Sequence, residues 1–116
     1  MSTAYLDLFI NRFLRHDDGT GVVIVAGEGG ERFASRLFVA LKVRGASPDM
    51  VGDNSRTLAE AIKAQDRSSA RRVAVVCVSG LSDDTNKAMR AWQDSHPSNR
   101  LIFRIGNVPE TQAALC

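Results

Sequence analysis

Several features that mark well-known protein classes are scarce in this sequence. Its longest apolar runs, Val22–Ala26 and Val73–Val78, are far too short to cross a bilayer. The N-terminus has no basic region followed by a long apolar stretch, so we expect no signal peptide. Only two cysteines occur, Cys77 and Cys116, and they have neither metal-ligand spacing nor the pattern of a disulfide framework. We therefore expect a cytoplasmic protein with no membrane association.

The sequence also has no large excess of positive or negative charge. The formal net charge is +2 at pH 7, which is too small to indicate a nucleic-acid-binding protein by itself. Aromatic residues make up 6% of the chain, and none is interleaved with the arginines of the 67–72 segment as in single-strand-binding surfaces. At 116 residues the chain is long enough for one hydrophobic core and too short for two, so a single domain is predicted over residues 1–116.

What is present is an alternation of short apolar runs with segments of helical periodicity. This alternation predicts an α/β/α sandwich built on a mostly parallel, four-stranded sheet, and the flavodoxin-like strand order 2-1-3-4 is expected. The predicted strands are Val22–Ala26, Asp49–Val51, Arg72–Val78 and Leu101–Ile105. Two of the predicted helices are Arg32–Arg44 and a segment from Asp83 to about Asp94. Between them lies a helix that is capped by Asn54 or Ser55 and ends near Gln65, and a short helix follows Pro109.

An additional amphipathic helix, Thr3–Arg15, precedes the repeating pattern. It either covers one face of the sheet or packs on another chain. We therefore treat residues 1–18 as a possible partner-binding or dimerisation element.

Any ligand site should lie where the strand order reverses, beyond the carboxyl ends of the first and third strands. Two loops meet there, "GEGG" after the first strand and "SGLSDD" after the third. The Gly29 and Gly30 amides together with Arg32 could hold an anion such as phosphate. The candidate ligand-binding residues are Gly27, Glu28, Gly29, Gly30, Arg32, Ser79, Ser82 and Thr85.

The glycine-rich turn does not complete a known nucleotide motif. Arg32 stands at the third glycine position of the dinucleotide fingerprint, although Asp49 or Asp53 lies about where a ribose-binding acid would be. No G-K-[ST] follows the glycines, which argues against a Walker-type loop. The simplest interpretation is that these glycines only make a tight strand-to-helix turn.

Carboxylates at the same edge raise a second possibility, a Mg²⁺ site formed by Glu28, Asp83 and Asp84. This set resembles the acidic pocket of response-regulator receiver domains, whose phospho-accepting Asp ends the third strand, where this chain has Val78 and Ser79. The "SGLSDDTN" loop and the strand–helix order are also similar to mannose-type IIA domains of sugar phosphotransferase systems. Those domains carry the phosphoryl group on a His after the first strand, and that His is absent here.

Charges are sorted between the two edges of the predicted sheet. Acids dominate the strand-to-helix loops, and arginines dominate the opposite edge. This distribution could serve nucleic acid, but it also matches the helix macrodipoles, which favour acids at helix starts and bases at helix ends. The basic candidates for nucleic-acid contact are Arg67, Arg71, Arg72 and Arg100.

No complete catalytic set appears in the sequence, and Cys77 is expected to be an inert thiol in a buried strand. We therefore expect a non-catalytic binding or regulatory module that interacts with a protein partner or with itself. The alternative is a Mg²⁺-dependent or phosphate-binding domain that uses the loops after the first and third strands.

Overall fold

Four parallel strands form one sheet in the order β2-β1-β3-β4, as the sequence predicts. The computed structural model describes residues 8–14, 20–67, 72–95 and 100–105. The strands are β1 (Thr20–Ala26), β2 (Asp49–Gly52), β3 (Arg72–Val78) and β4 (Arg100–Ile105). The helices between them are α1 (Glu31–Val43), α2 (Ser55–Arg67) and α3 (Asp83–Ser95). The predicted helix after Pro109 lies outside the described residues.

The two central strands carry the β-branched runs that the sequence shows most clearly. β1 and β3 pair in register from Thr20 with Arg72 to Ala26 with Val78, and both strands are buried along almost their whole length. Both faces of a central parallel strand are covered by helices, so continuous apolar runs suit these positions. β2 and β4 form the edges of the described sheet and are only partly buried.

Helices cover the two faces of the sheet unequally. On one face α1 buries Phe33, Leu37 and Leu41 against β1 and β3. On the other face α2 and α3 bury Leu58 and Met89, among others, in a second cluster. Each fully buried side chain of this size contributes about 1.5–3 kcal/mol relative to an exposed one, so the two clusters fix which face each helix occupies.

The segment before β1 packs on the same face as α1. Phe9 and Ile10 are buried in that cluster, and the Phe9 ring meets Phe103 of β4 edge-on at 5.8 Å between centroids. Phe9–Leu14 is π-helical rather than α-helical, a wider winding that the apolar spacing does not reveal. Leu8 before it is also helical, and the rest of the predicted Thr3–Arg15 helix lies outside the described residues. Of the two roles expected for it, Phe9 and Ile10 serve the first, covering the sheet.

Two helix ends follow the predicted chemistry. The Asn54 carboxamide oxygen accepts hydrogen bonds from the amides of Arg56 at 2.9 Å and Thr57 at 3.1 Å, so Asn54 caps α2. Gly45 ends α1 with φ at 87°, a conformation that lets the Gly45 and Ala46 amides bond back to the last turn.

Candidate functional site at the carboxyl edge of the sheet

The glycine-rich turn after β1 packs directly on the end of β3. The Gly27 amide donates to the Val78 carbonyl at 2.8 Å, and a Cβ at Gly27 would collide with the Gly80 carbonyl oxygen. A Cβ at Gly30 would come within 2.7 Å of the Val78 carbonyl oxygen. Glycine is needed at both positions because the two loops touch through their backbones, which supports the interpretation that the glycines make a tight turn.

The predicted anion cradle is only partly available. The Gly30 amide donates to the Gly27 carbonyl at 2.9 Å, so this donor is engaged inside the turn. Glu28, Gly29 and Arg32 are exposed, and Gly29 takes a φ of 82°. The turn therefore keeps its own amide occupied and presents a carboxylate, a poor combination for holding phosphate.

The loop after β2 and the start of α3 are joined through Asp53. Its carboxylate accepts hydrogen bonds from the Ser82 amide at 2.8 Å, the Ser82 hydroxyl at 2.9 Å and the Thr85 hydroxyl at 2.6 Å. Thr85 is fully buried, and its hydroxyl also lies 3.1 Å from that of Ser82. Two predicted ligand-binding residues are thus brought together, but their hydroxyls are directed to Asp53.

These hydrogen bonds lower the pKa of the Asp53 carboxyl group. The hydrogen bond from Thr85 is the largest cause that lowers the pKa of Asp53, and the bonds from Ser82 add to it, while partial burial opposes the shift. A carboxylate that accepts several hydrogen bonds is stabilised in its charged form. Asp53 therefore acts as a charged clamp between two loops, a role that the sequence does not reveal.

Ser79 and Cys77 lie at the end of β3 and are both buried. Ser79 has a φ of 70°, and its amide donates to the Ile105 carbonyl at 2.9 Å, which ties the end of β3 to β4. Burial raises the pKa of the Cys77 thiol to about 11, with Arg104 opposing the shift, and its Sγ lies 3.2 Å from the Met89 Sδ. The thiol therefore stays protonated near neutral pH, as expected for an inert packing residue.

An acidic cavity lies beside β2, on one side of this closed centre. It has a volume of about 480 Å³ and includes three carboxylates, those of Glu28, Glu31 and Asp53, in its lining. We call it the acidic cavity. Met50, Val51 and Ser35 supply much of the rest of its wall.

The predicted Mg²⁺ pocket is not assembled. Among the residues that the structure describes, no group of three or more His, Cys, Asp or Glu side chains is placed to hold a metal ion. Glu28 lines the acidic cavity, whereas Asp83 lines a different cavity beside β4. Asp84 is exposed at the start of α3. The sequence places these acids at one edge of the sheet but does not show that they lie on different sides of the closed centre.

The second cavity is basic. It has a volume of about 380 Å³ and lies between α3 and β4, with Lys87, Arg90 and Arg104 in its lining. Asp83 and Asn86 complete that lining, and we call it the basic cavity. Sequence reasoning missed Asn86, Arg90 and Arg104 because they are brought together only by the packing of α3 on β4. One signal was present, since Arg104 interrupts an otherwise apolar strand near its carboxyl end.

An apolar groove lies on the outer side of α2 and α3. It has a volume of about 260 Å³ and is lined chiefly by Leu58, Ile62, Ala88 and Trp92, with Ala59 and Lys63 at its rim. The Trp92 indole N–H is buried and, within the described residues, has no hydrogen-bond acceptor. A buried polar hydrogen without a partner is costly, so a rearrangement on binding that gives this N–H an acceptor would be favoured.

The arginines predicted for nucleic acid are used in part by the fold. Arg72 donates from Nε to the Thr20 hydroxyl at 2.9 Å. Arg100 donates to the Trp92 carbonyl at 2.7 Å and stacks over the Trp92 ring at 5.4 Å from its centroid. The Arg67 side chain and Arg71 lie outside the described residues. Arg72 therefore joins β3 to β1, and Arg100 joins β4 to α3.

No family model, curated protein or solved structure matches this chain. None of the described helices is long and apolar enough to cross a membrane. We therefore infer the function of this protein from the side chains and cavities described above.

Proposed function

We propose that this protein is a small, non-catalytic binding module of the cytoplasm that associates with a second copy of itself through the α2–α3 groove. The observation that carries the proposal is the apolar groove with the unpartnered Trp92 indole N–H. Tryptophan is enriched among the residues that carry most of the binding energy at protein interfaces. An apolar side chain in the groove, together with a rearrangement that gives the indole N–H an acceptor, would complete the site.

A binding role is supported by what the polar groups at the carboxyl edge do. Ser82 and Thr85 donate to Asp53, the Gly30 amide is engaged in its own turn, and the Cys77 thiol is buried. The carboxylate that accepts from these hydroxyls has a lowered pKa, so Asp53 is a weak base for activating a hydroxyl nucleophile. These groups stabilise the scaffold on which the groove is built.

A second copy is favoured as the partner because the groove region carries both signs of charge. Lys63 lies at the rim on α2, and Asp84 lies one turn before Ala88 on α3. A two-fold interface uses the same patch on both copies, so a patch with one cation and one anion can pair with itself. The small side chains of Ala59 and Ala88 also let another helix approach closely.

Light scattering and sedimentation of the full chain over a range of concentrations test this proposal. We expect a dimer that dissociates on dilution and that becomes monomeric in the Ala88→Glu variant, because a carboxylate would then be buried in the groove. The matched control is Ala64→Glu, which makes the same change at an exposed position of α2 outside the groove lining. The control should dimerise as the native chain does.

Fluorescence gives an independent readout because Trp92 is the only tryptophan in the sequence. Its emission should shift on dilution of the native chain and of Ala64→Glu, but not of Ala88→Glu. Circular dichroism checks that each variant is folded. A native chain that is monomeric at every concentration, or an Ala88→Glu variant that dimerises as well as the control, would overturn self-association through this groove.

A further inference from the structure

We propose that the basic cavity binds the phosphate group of a small phosphorylated molecule. The cavity is formed by two elements, α3 with Lys87 and Arg90, and β4 with Arg104. It lies on the side of α3 opposite the Trp92 groove, because successive helical residues are rotated by about 100°. The inference is therefore independent of the self-association proposed above.

Arg104 is held in place by a hydrogen bond to α3 rather than extending freely into solvent. Its Nη1 donates to the Asn86 carboxamide oxygen at 2.8 Å, and the Asn86 Nδ2 donates to the Leu81 carbonyl at 3.2 Å. Asn86 is thus fixed at both ends of its amide and acts as a positioning residue for the guanidinium. An arginine held in this way loses less side-chain entropy when its remaining donors bind a ligand.

The charge of the lining matches a phosphate. Of the lining residues that the structure describes, Lys87, Arg90 and Arg104 supply three positive charges and Asp83 one negative charge, which leaves two positive charges. A phosphate monoester carries about −1.5 to −2 at neutral pH. The guanidinium group of arginine can donate two parallel hydrogen bonds to two oxygens of a phosphate.

Size and lining favour a small ligand over a nucleic-acid strand. Asp83 and Arg104 lie near the carboxyl ends of β3 and β4, and Lys87 and Arg90 follow along α3. A volume of about 380 Å³ is that of a small-molecule pocket. Among the described residues of the lining there is no aromatic side chain on which a base could stack, and single-strand binding relies on such stacking.

Titration of the isotopically labelled full chain with inorganic phosphate, followed by amide chemical shifts, tests the inference. We expect saturable shifts at Asn86, Lys87, Arg90 and Arg104, and none of this size from sodium chloride at the same ionic strength. Arg104→Gln should weaken phosphate binding about tenfold or more, because a charge-assisted contact is lost. Asn86→Ala keeps all three cations, so it should weaken binding less.

The matched control is Arg56→Gln, which removes an exposed arginine of α2 that is paired with Glu60 at 3.9 Å. It should leave phosphate binding unchanged. Shifts that are unsaturable, that chloride reproduces, or that Arg56→Gln weakens as much as Arg104→Gln would contradict the inference. A single-stranded oligonucleotide that binds more tightly than phosphate and depends on Arg104 would show a nucleic-acid site instead.

Discussion

The two cavities at the carboxyl edge of the sheet are alike in size and opposite in charge. The acidic cavity lies beside β2 and contains Glu28, Glu31 and Asp53, and the basic cavity lies beside β4 and contains Lys87, Arg90 and Arg104. Between them the "GEGG" turn closes on the end of β3. The edge that the sequence marks as acidic is therefore divided along its length into an acidic and a basic half.

The acids of this edge have a structural explanation. Glu31 is in the first turn of α1, where a negative charge complements the helix macrodipole, and Asp53 accepts three hydrogen bonds from the start of α3. The cations of the basic cavity are not explained by helix ends. Arg90 lies in the middle of α3, and Arg104 lies on a strand and donates to Asn86 at 2.8 Å. Glu31 and Asp53 therefore stabilise the fold directly, whereas Arg90 carries a charge that is used by none of the hydrogen bonds and ion pairs described above.

The largest effect is expected from Gly27→Ala, which acts on the contact that separates the two cavities. A Cβ at this position would collide with the Gly80 carbonyl oxygen and lie 3.0 Å from that of Val78, both of them backbone atoms. We expect a loss of about 3 kcal/mol of unfolding free energy, since backbone atoms cannot move aside cheaply. Urea denaturation measures it.

Gly52→Ala is the control for this substitution, because a Cβ at Gly52 meets nothing within 4 Å. Its stability should change by less than about 1 kcal/mol. Equal losses at the two positions would mean that the turn and the end of β3 are not in backbone contact, and the division of the edge would lose its basis.

A smaller effect is expected from Asp53→Asn, which removes the charge that clamps the β2 loop to α3. We expect a loss of about 1 kcal/mol at neutral pH, less than for a buried charged bond because Asp53 is exposed. The folded-state pKa of Asp53 is lowered, so its stabilisation is present above the unfolded-state pKa of about 3.9 and is lost as pH falls through the lower folded-state value.

The difference between the native chain and Asp53→Asn should therefore shrink between neutral pH and about pH 3. Urea denaturation at several pH values measures it. Asp94→Asn, at an exposed position near the end of α3, serves as control and should cost no stability at neutral pH. A difference for Asp53→Asn that is constant with pH would show that its charge does not act as the clamp.

Much of the fold could be predicted from the sequence because its determinants are local. The β-branched runs of β1 and β3, Asn54 at the start of α2 and Gly45 at the end of α1 each act within a few residues of their own position. The π-helical winding of Phe9–Leu14 could not be predicted, since apolar spacing does not distinguish it from an α-helix.

The candidate sites were less predictable because they depend on pairs far apart in sequence. Asp53 bonds to Thr85 across 32 positions, and Arg104 bonds to Asn86 across 18. Sorting charges by loop places Glu28, Glu31 and Asp53 at the carboxyl edge but misses the basic cavity there. It does not say which side chains within that edge meet, because that depends on how α3 packs against β4.

The smallest effect comes from comparing one charge of each cavity, Glu31→Gln and Arg90→Gln. Loss of Glu31 should destabilise the chain by about 0.3–1 kcal/mol, because a favourable interaction with the α1 macrodipole is removed. Loss of Arg90 should stabilise it by a few tenths of a kcal/mol at low salt, because repulsion from Lys87 and Arg104 is relieved, and this gain should vanish as salt screens the charges. Thermal unfolding at two ionic strengths measures both. If Arg90→Gln destabilised the chain as much as Glu31→Gln, the basic half would be as structural as the acidic half, and its charge would no longer point to a ligand.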